Sequence, residues 1–218
     1  MLRILPWIVS LAVSVYLVNQ VRKPTRWTGQ LFARIMNGSH SRLTDWGLTH
    51  VHIGKAFTIL DVGCGGGRTI QKLAAATDGK VYGVDYAAGS VATARSTNAA
   101  EIRAGRVDVQ RASVSALPFP DAAFDLVTAV ETQYYWPDLA NDMREILRVL
   151  KPDGTLLVVA ETHKGSKYDW AEKWVMKALR STRLSVEDQR KLFETAGFSE
   201  VQVSLEPGHS WLCATGRK

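Results

Sequence analysis

The sequence predicts an α/β protein built on a mostly parallel sheet, and three observations predict it. From Thr58 onward, short apolar runs alternate with helix-length segments. The first run, Ile59, Leu60 and Val62, breaks into Gly63, Gly65 and Gly67 before a helical segment opens at Arg68. The second, Lys80 to Asp85, ends on an acid 22 residues after Gly63. A strand, a glycine turn and a helix direct backbone N–H groups to a spot that a ligand can approach without meeting a Cβ. A carboxylate closing the next strand can accept both hydroxyls of a ribose. Together they describe a nucleotide-type cofactor site.

The 218 residues leave room for one full α/β domain plus an appendage, and a hydrophobic share of 46% is enough for a sizeable core. The net charge of +6 is unevenly spread. Residues 1–55 hold seven Lys or Arg against one acid, Asp45, which leaves 20 basic and 20 acidic residues in the remainder. A neutral domain lacks the basic footprint of a nucleic-acid binder. Cys64 and Cys213 have neither the number for a disulfide framework nor a metal-ligand spacing, and they read as small buried fillers. His40, His50 and His52 show no metal spacing either, so no metal site is expected.

Taken in order, the chain opens with eighteen uncharged residues, Ile4 to Val21, mostly aliphatic and aromatic. As a helix they would span about 27 Å, near the lower limit for crossing a bilayer. Pro6 falls in the first turn, and Pro24 ends the segment. No small-residue cleavage site follows, which argues for an uncleaved anchor over residues 1–24. Arg22, Lys23 and Arg26 outnumber Arg3 and so place the rest of the chain on the cytoplasmic side. The alternative is a helix buried on protein. Residues 25–55 read as a cap of amphipathic helices. Trp27, Leu31 and Ile35, with Phe32 and Met36, recur at helical spacing through 25–37. That helix either lies on anionic lipid or packs on the domain. His40 to Ile53 reads as a second helix, with Leu43, Trp46, Leu48 and Val51 as its apolar contacts.

The main domain, 56–218, has predicted strands at 58–63, 80–85, 106–111, 124–130 and 154–160, and helices at 68–77, 89–99 and 138–150. Beyond Glu161 the alternation stops. His163 to Arg180 and Ser185 to Ala196 read as helices, the second with Ser185 as N-cap and Glu187-Asp188 in its first turn. Two further strands follow, around Val201–Leu205 and Ser210–Gly216.

The glycine spacing separates cofactors. A dinucleotide fingerprint starting at Gly63 would require Gly or Ala at 68, where Arg68 stands. Leu-Asp-Val-Gly-Cys-Gly-Gly-Gly (60–67) instead resembles the first motif of the class I S-adenosylmethionine-dependent methyltransferases. Two later stretches carry the same resemblance in the same order. Ala-Leu-Pro-Phe-Pro-Asp (116–121) leads into Phe124-Asp125, and Leu-Lys-Pro-Asp-Gly-Thr-Leu (150–156) forms a turn into the fifth strand, with Gly154 as its turn residue. The closest branch resembles the ubiquinone/menaquinone-biosynthesis methyltransferases.

The resemblance implies a Rossmann-like, seven-stranded, mostly parallel sheet with an antiparallel last strand and helices on both faces. It implies S-adenosylmethionine as cofactor, held by Asp61, Gly63, Cys64, Gly65, Gly67, Asp85, Tyr86, Ser113, Val114 and Glu131. Tyr86 would lie against the adenine. Ser113 stands where the family has an adenine-binding Asp, and Val114 would supply a backbone contact. A neutral hydroxyl bond there is weaker than a charge-assisted one.

Methyl transfer from a sulfonium asks mainly for alignment in a dry site. Where a base is needed, Glu131 is the first candidate and His163 the second. Tyr134, Tyr135 and Trp136 either wall an apolar acceptor pocket or form an ordinary packed cluster. Residues 162–197 would form a substrate lid, with Lys164, Lys167, Trp170 and Trp174 in its first part. The expected function is methyl transfer to a small or lipophilic acceptor at the cytoplasmic membrane face. A catalytically silent cofactor-binding or scaffold protein is the alternative, and Arg68 disfavours a nicotinamide oxidoreductase. A nucleic-acid amino-methyltransferase would carry a Pro-Pro-Tyr type motif where Glu-Thr-Gln-Tyr-Tyr-Trp-Pro (131–137) stands.

Overall fold

Seven strands form a single sheet in the order β3-β2-β1-β4-β5-β7-β6. A computed structural model describes residues 41–167, 169–178 and 181–218. The expected anchor over 4–21 and the helix over 25–37 lie outside the described residues. Among the described residues, no helix is long and apolar enough to cross a membrane.

The strands are β1 Ile59–Val62, β2 Val81–Asp85, β3 Val107–Arg111, β4 Phe124–Val130, β5 Leu150–Ala160, β6 Ser199–Leu205 and β7 Leu212–Arg217. The first five pair in parallel, and β7 runs antiparallel to both β5 and β6. All four residues of β1 are buried, the mark of a central parallel strand covered on both faces. The pleat sends alternate residues to opposite cores. Leu60 and Leu156 join one core, with Met143, Ile146 and Phe193. Ile59 and Leu157 join the other, with Ile70, Leu73 and Val91.

Among the described residues the α-helices are α1 Ser41–Leu48, α2 Arg68–Ala76, α3 Ala88–Thr97, α4 Ala99–Arg103, α5 Leu139–Val149, α6 Asp169–Ala178 and α7 Val186–Ala196. The Asp138 side chain accepts from the Asn141 N–H at the head of α5. Ser185 caps α7 as expected, in a capping box with Asp188. Close backbone approach explains two glycines that the sequence left unremarked. A Cβ on Gly47 would sit 2.4 Å from Val159 Cγ2, and one on Gly83 would sit 2.3 Å from Ile70 Cδ1. These contacts seat α1 on β5 and α2 on β2.

Three expectations about elements are corrected. The helix expected over 40–53 is α1 and stops at Leu48, because the Thr49 N–H and hydroxyl both turn back to the Trp46 carbonyl. The stretch around Gly154 falls inside the fifth strand and not ahead of it. Strand β5 already begins at Leu150, and the register shifts there, since Phe124 pairs with Leu150 and Leu126 with Thr155. Asp153 takes the positive φ there, at 64°. Gly154 answers crowding, since a Cβ would lie 2.9 Å from the Lys151 carbonyl oxygen and 3.0 Å from that of Phe124. The helix expected from His163 begins only at Asp169, after Gly165 enters the left-handed region at φ 82°. The short α4 was not expected at all.

Candidate cofactor and acceptor site

The carboxyl ends of β1, β2 and β4 meet where the strand order reverses between β1 and β4, the position at which open parallel sheets bind ligands. The glycine turn leaving β1 is drawn over this edge. Gly63, Gly65 and Gly67 all hold positive φ, at 71°, 51° and 80°. The N–H groups of Gly63 and Cys64 both donate to the Val84 carbonyl, at 2.8 and 3.0 Å. Asn98 Nδ2 donates to the Gly67 carbonyl at 3.0 Å. The three glycines differ in purpose. A Cβ on Gly63 would lie 2.0 Å from Thr132 Oγ1, and one on Gly67 would lie 2.5 Å from Asn98 Nδ2. A Cβ on Gly65 would meet only the Gly63 carbonyl, at 4.0 Å. The open space therefore lies above Gly65.

Two buried carboxylates belong to the strands that end here, Asp61 of β1 and Asp85 of β2. Asp61 accepts from Thr128 Oγ1 at 2.7 Å, across the β1–β4 register, and its other oxygen, Oδ2, has no partner. Burial pushes its pKa up to about 7, against the Thr128 bond and with help from the nearby Asp85 charge. Asp85 closes β2 and accepts from the Gly65 N–H at 3.0 Å and the Ala87 N–H at 2.8 Å. Its pKa is likewise raised, by burial above all.

The remaining expected cofactor residues are less uniform. The Cys64 side chain points into the core beside Gly83, so only its backbone belongs to the turn. Tyr86 is exposed, and its carbonyl accepts from Arg111 Nε at 3.0 Å. Ser113 is exposed and accepts from the Ser115 N–H at 3.2 Å, while the Val114 side chain is buried in the core.

At the end of β4, Glu131 holds φ 58°, an uncommon conformation for a residue with a side chain. Its Oε1 accepts from the Tyr134 hydroxyl at 3.0 Å and from the Glu161 N–H. Tyr134 in turn accepts from the Thr162 N–H at 3.1 Å. Burial, then the Glu131 charge, pushes the Tyr134 phenol well above its ordinary range, so it acts as a neutral strut. Arg183 is buried above this strut. It donates to Thr162 Oγ1 at 3.3 Å and pairs with Asp169 at 2.6 Å.

The aromatic run divides. Tyr134 and Trp136 are buried in the core, and Tyr135 is half-buried against Tyr134. Gln133 Nε2 and Trp136 Nε1 are buried donors without a partner. His163 is placed apart from Glu131 in its bonding, because its Nδ1–H donates to the Ser210 carbonyl at 2.9 Å and ties β5 to the approach of β7.

Several supporting residues were invisible to sequence reasoning: Asn98, Thr128, Thr132, Arg183 and the Glu145–Arg148 pair. Arg148 donates to Glu145, to Asp121 Oδ1 at 2.7 Å and to the Phe119 carbonyl at 2.9 Å. Glu145 accepts from the Leu117 N–H at 2.8 Å. The pair clamps the 113–121 loop to α5. Its i,i+3 spacing was the one available signal.

Residues 60–158 match the family model described as "Methyltransferase domain". An O-methyltransferase of Penicillium expansum, cnsE, is 33% identical over 67% of this chain and 53% of its own length. The 2-methyl-6-phytyl-1,4-hydroquinone methyltransferase of Synechocystis is 32% identical over 67% of this chain and 48% of its own. The chain thus spans about half the length of these relatives. The solved structure of a SAM-dependent methyltransferase from Aquifex aeolicus superposes with a TM-score of 0.70 at 19% identity, covering 86% of this chain and 97% of that one. The cyclase SpnF superposes at 0.65 with 21% identity, covering 81% and 80%. Such likeness shows the fold alone.

Proposed function

From the premise that this chain carries a class I S-adenosylmethionine-dependent methyltransferase domain, we propose that it transfers a methyl group to a small, lipophilic acceptor. The observation that carries the reading is the open space over Gly65, whose N–H is bonded to the buried Asp85, together with the unpartnered buried oxygen of Asp61 on the adjoining strand. S-adenosylmethionine is the implied cofactor, and the residues present fit it. Its amino group is a donor of the kind that Asp61 Oδ2 lacks, and its ribose hydroxyls suit Asp85. When bound, the cofactor supplies an electrophilic methyl group on a sulfonium.

The protein's own share is alignment and exclusion of water. Asp85 fixes both the turn and the ribose end, and Tyr86, Ser113 and the Val114 backbone border the adenine end. Glu131, held by Tyr134, faces the acceptor side as base or positioning group. Tyr135 borders the same side, and His163 is the weaker base candidate because its Nδ1–H is committed to Ser210.

Acceptor class follows from the surroundings. Tyr135, half-buried against Tyr134, adds an aromatic face there, and one similar protein is named for a phytyl hydroquinone. That supports a lipophilic, quinol-like acceptor. Residues 4–21 would tether the chain to a membrane, with the domain on the cytoplasmic face. The test is calorimetric titration with S-adenosylmethionine, its demethylated product and NAD, followed by isotopic methyl transfer to a panel of hydroquinones and phenols. Binding of the first two with labelled product supports the reading. Binding of NAD alone would sink it.

A further inference from the structure

Helix α6 presents two faces. Asp169 pairs with the buried Arg183, and Met176 packs on the core, one turn-pair further along the same side. About a quarter turn around the helix, Trp170, Trp174 and Lys177 share a second side. There Trp170 is 73% exposed and Trp174 66%, the two most exposed large apolar side chains among the described residues. The Lys177 ammonium lies 5.9 Å from the Trp174 ring centre. Lys164 and Lys167, exposed on the segment leading into α6, add positive charge beside them.

The face has a fixed place. Arg183 bonds Thr162, and the Tyr134 carbonyl accepts from the Thr182 N–H at 2.8 Å, so the segment carrying α6 is fastened to the ends of β4 and β5. Those ends are the acceptor side of the site.

We propose that the Trp170–Trp174–Lys177 face of α6 docks on a bilayer surface carrying anionic headgroups, setting the acceptor mouth against the lipid. Tryptophan seeks the membrane interface because its ring is apolar and its N–H remains hydrogen-bonded there, and exposed lysines beside it are drawn to anionic headgroups. Forty residues precede the first described one, and their apolar run from Ile4 to Val21, flanked by Arg22, Lys23 and Arg26, gives the same chain a second lipid-seeking element. Two contacts would fix orientation where an anchor alone leaves the domain to tumble. The entry of a lipophilic acceptor from the bilayer rests on the methyltransferase reading; the docking of α6 does not.

The test uses the full chain in bilayers of phosphatidylcholine with and without phosphatidylglycerol, bearing a fluorophore on a cysteine at position 170, 174 or 80. Cys64 and Cys213 are buried with raised pKa values, so they leave labelling to the introduced site. Lys80, exposed at the opposite end of the sheet, is the control. Headgroup-brominated lipid is expected to quench the probes of W170C and W174C several-fold more than that of K80C, and more strongly in anionic bilayers. Equal quenching at all three positions would overturn the proposal. So would a probe already shielded in lipid-free protein, which assigns the face to residues 1–40 or to a second copy. Calorimetric cofactor binding by the same labelled proteins reports folding and separates this outcome from failure of the methyltransferase reading.

Discussion

The Asp85 carboxylate accepts a hydrogen bond from the Gly65 N–H at 3.0 Å, so the residue read as the ribose acceptor also holds the glycine turn in shape. Its second oxygen accepts from the Ala87 N–H at 2.8 Å and fixes the start of α3. One side chain couples two parts of the site.

Asp85→Ala is therefore expected to weaken S-adenosylmethionine binding by ten- to a hundredfold, on the order of the 1.5–3 kcal/mol of charge-assisted bonds it removes. Calorimetry checks this. An unchanged Kd would mean that the turn needs no carboxylate.

Gly63→Ala and Gly65→Ala should behave differently although both carry positive φ. At 63 a methyl would overlap Thr132, 2.0 Å away, adding overpacking to left-handed strain. About 3 kcal/mol of stability should be lost, or roughly 6–12 °C in Tm. At 65 the methyl enters open space, so the cost is about 1–2 kcal/mol of backbone strain, with cofactor binding abolished. Thermal melts with and without cofactor distinguish the two.

Asp61 makes stability depend on pH. Its folded pKa of about 7 lies above the ordinary 3.8, so the folded state holds the proton more tightly. Stability from this group is greatest below the lower value, falls as pH rises through the window, and stays low above pH 7. The span is on the order of 4 kcal/mol. Asp61→Asn should be more stable than wild type at pH 8, no more stable at pH 4, and poorer at binding cofactor. Denaturant melts at both pH values would show whether the two profiles converge.

Arg148→Ala should release the 113–121 loop. The guanidinium is about one-third exposed, so solvent screening limits the cost to about 1–2 kcal/mol. The local sign is faster amide exchange at Leu117 and Phe119. Exchange unchanged from wild type would show that Pro118 and Pro120 hold the loop alone.

The sequence by itself determined the class of fold and the place of the glycine turn after β1. Strand alternation and the glycines at 63, 65 and 67 are local properties, written in residues adjacent along the chain. The cap Ser185 and four of the first five strands, to within a residue or so, were legible for that reason, whereas the antiparallel β7 was implied by the family resemblance. Where helical spacing or turn chemistry misled, a competing contact had decided. Gly154 looked like a turn glycine, and a Cβ there would crowd the Lys151 carbonyl as well as that of Phe124 on the neighbouring strand. His40 to Ile53 had helical spacing, yet Thr49 competed for the carbonyl that would have continued the helix.

Only the tertiary structure decided which side chains do what around the turn. Asp61 and Thr128 are 67 residues apart in sequence, and Asn98 lies 31 from the Gly67 carbonyl it bonds. No pattern along the chain records such pairs, because they arise where separate strands and helices are packed side by side. The same holds for Glu131, whose carboxylate looked like a base in the sequence and proves to be bonded to Tyr134 and the Glu161 N–H. Chemistry-bearing residue types can be read from the chain, whereas their protonation and partners depend on what packing buries beside them.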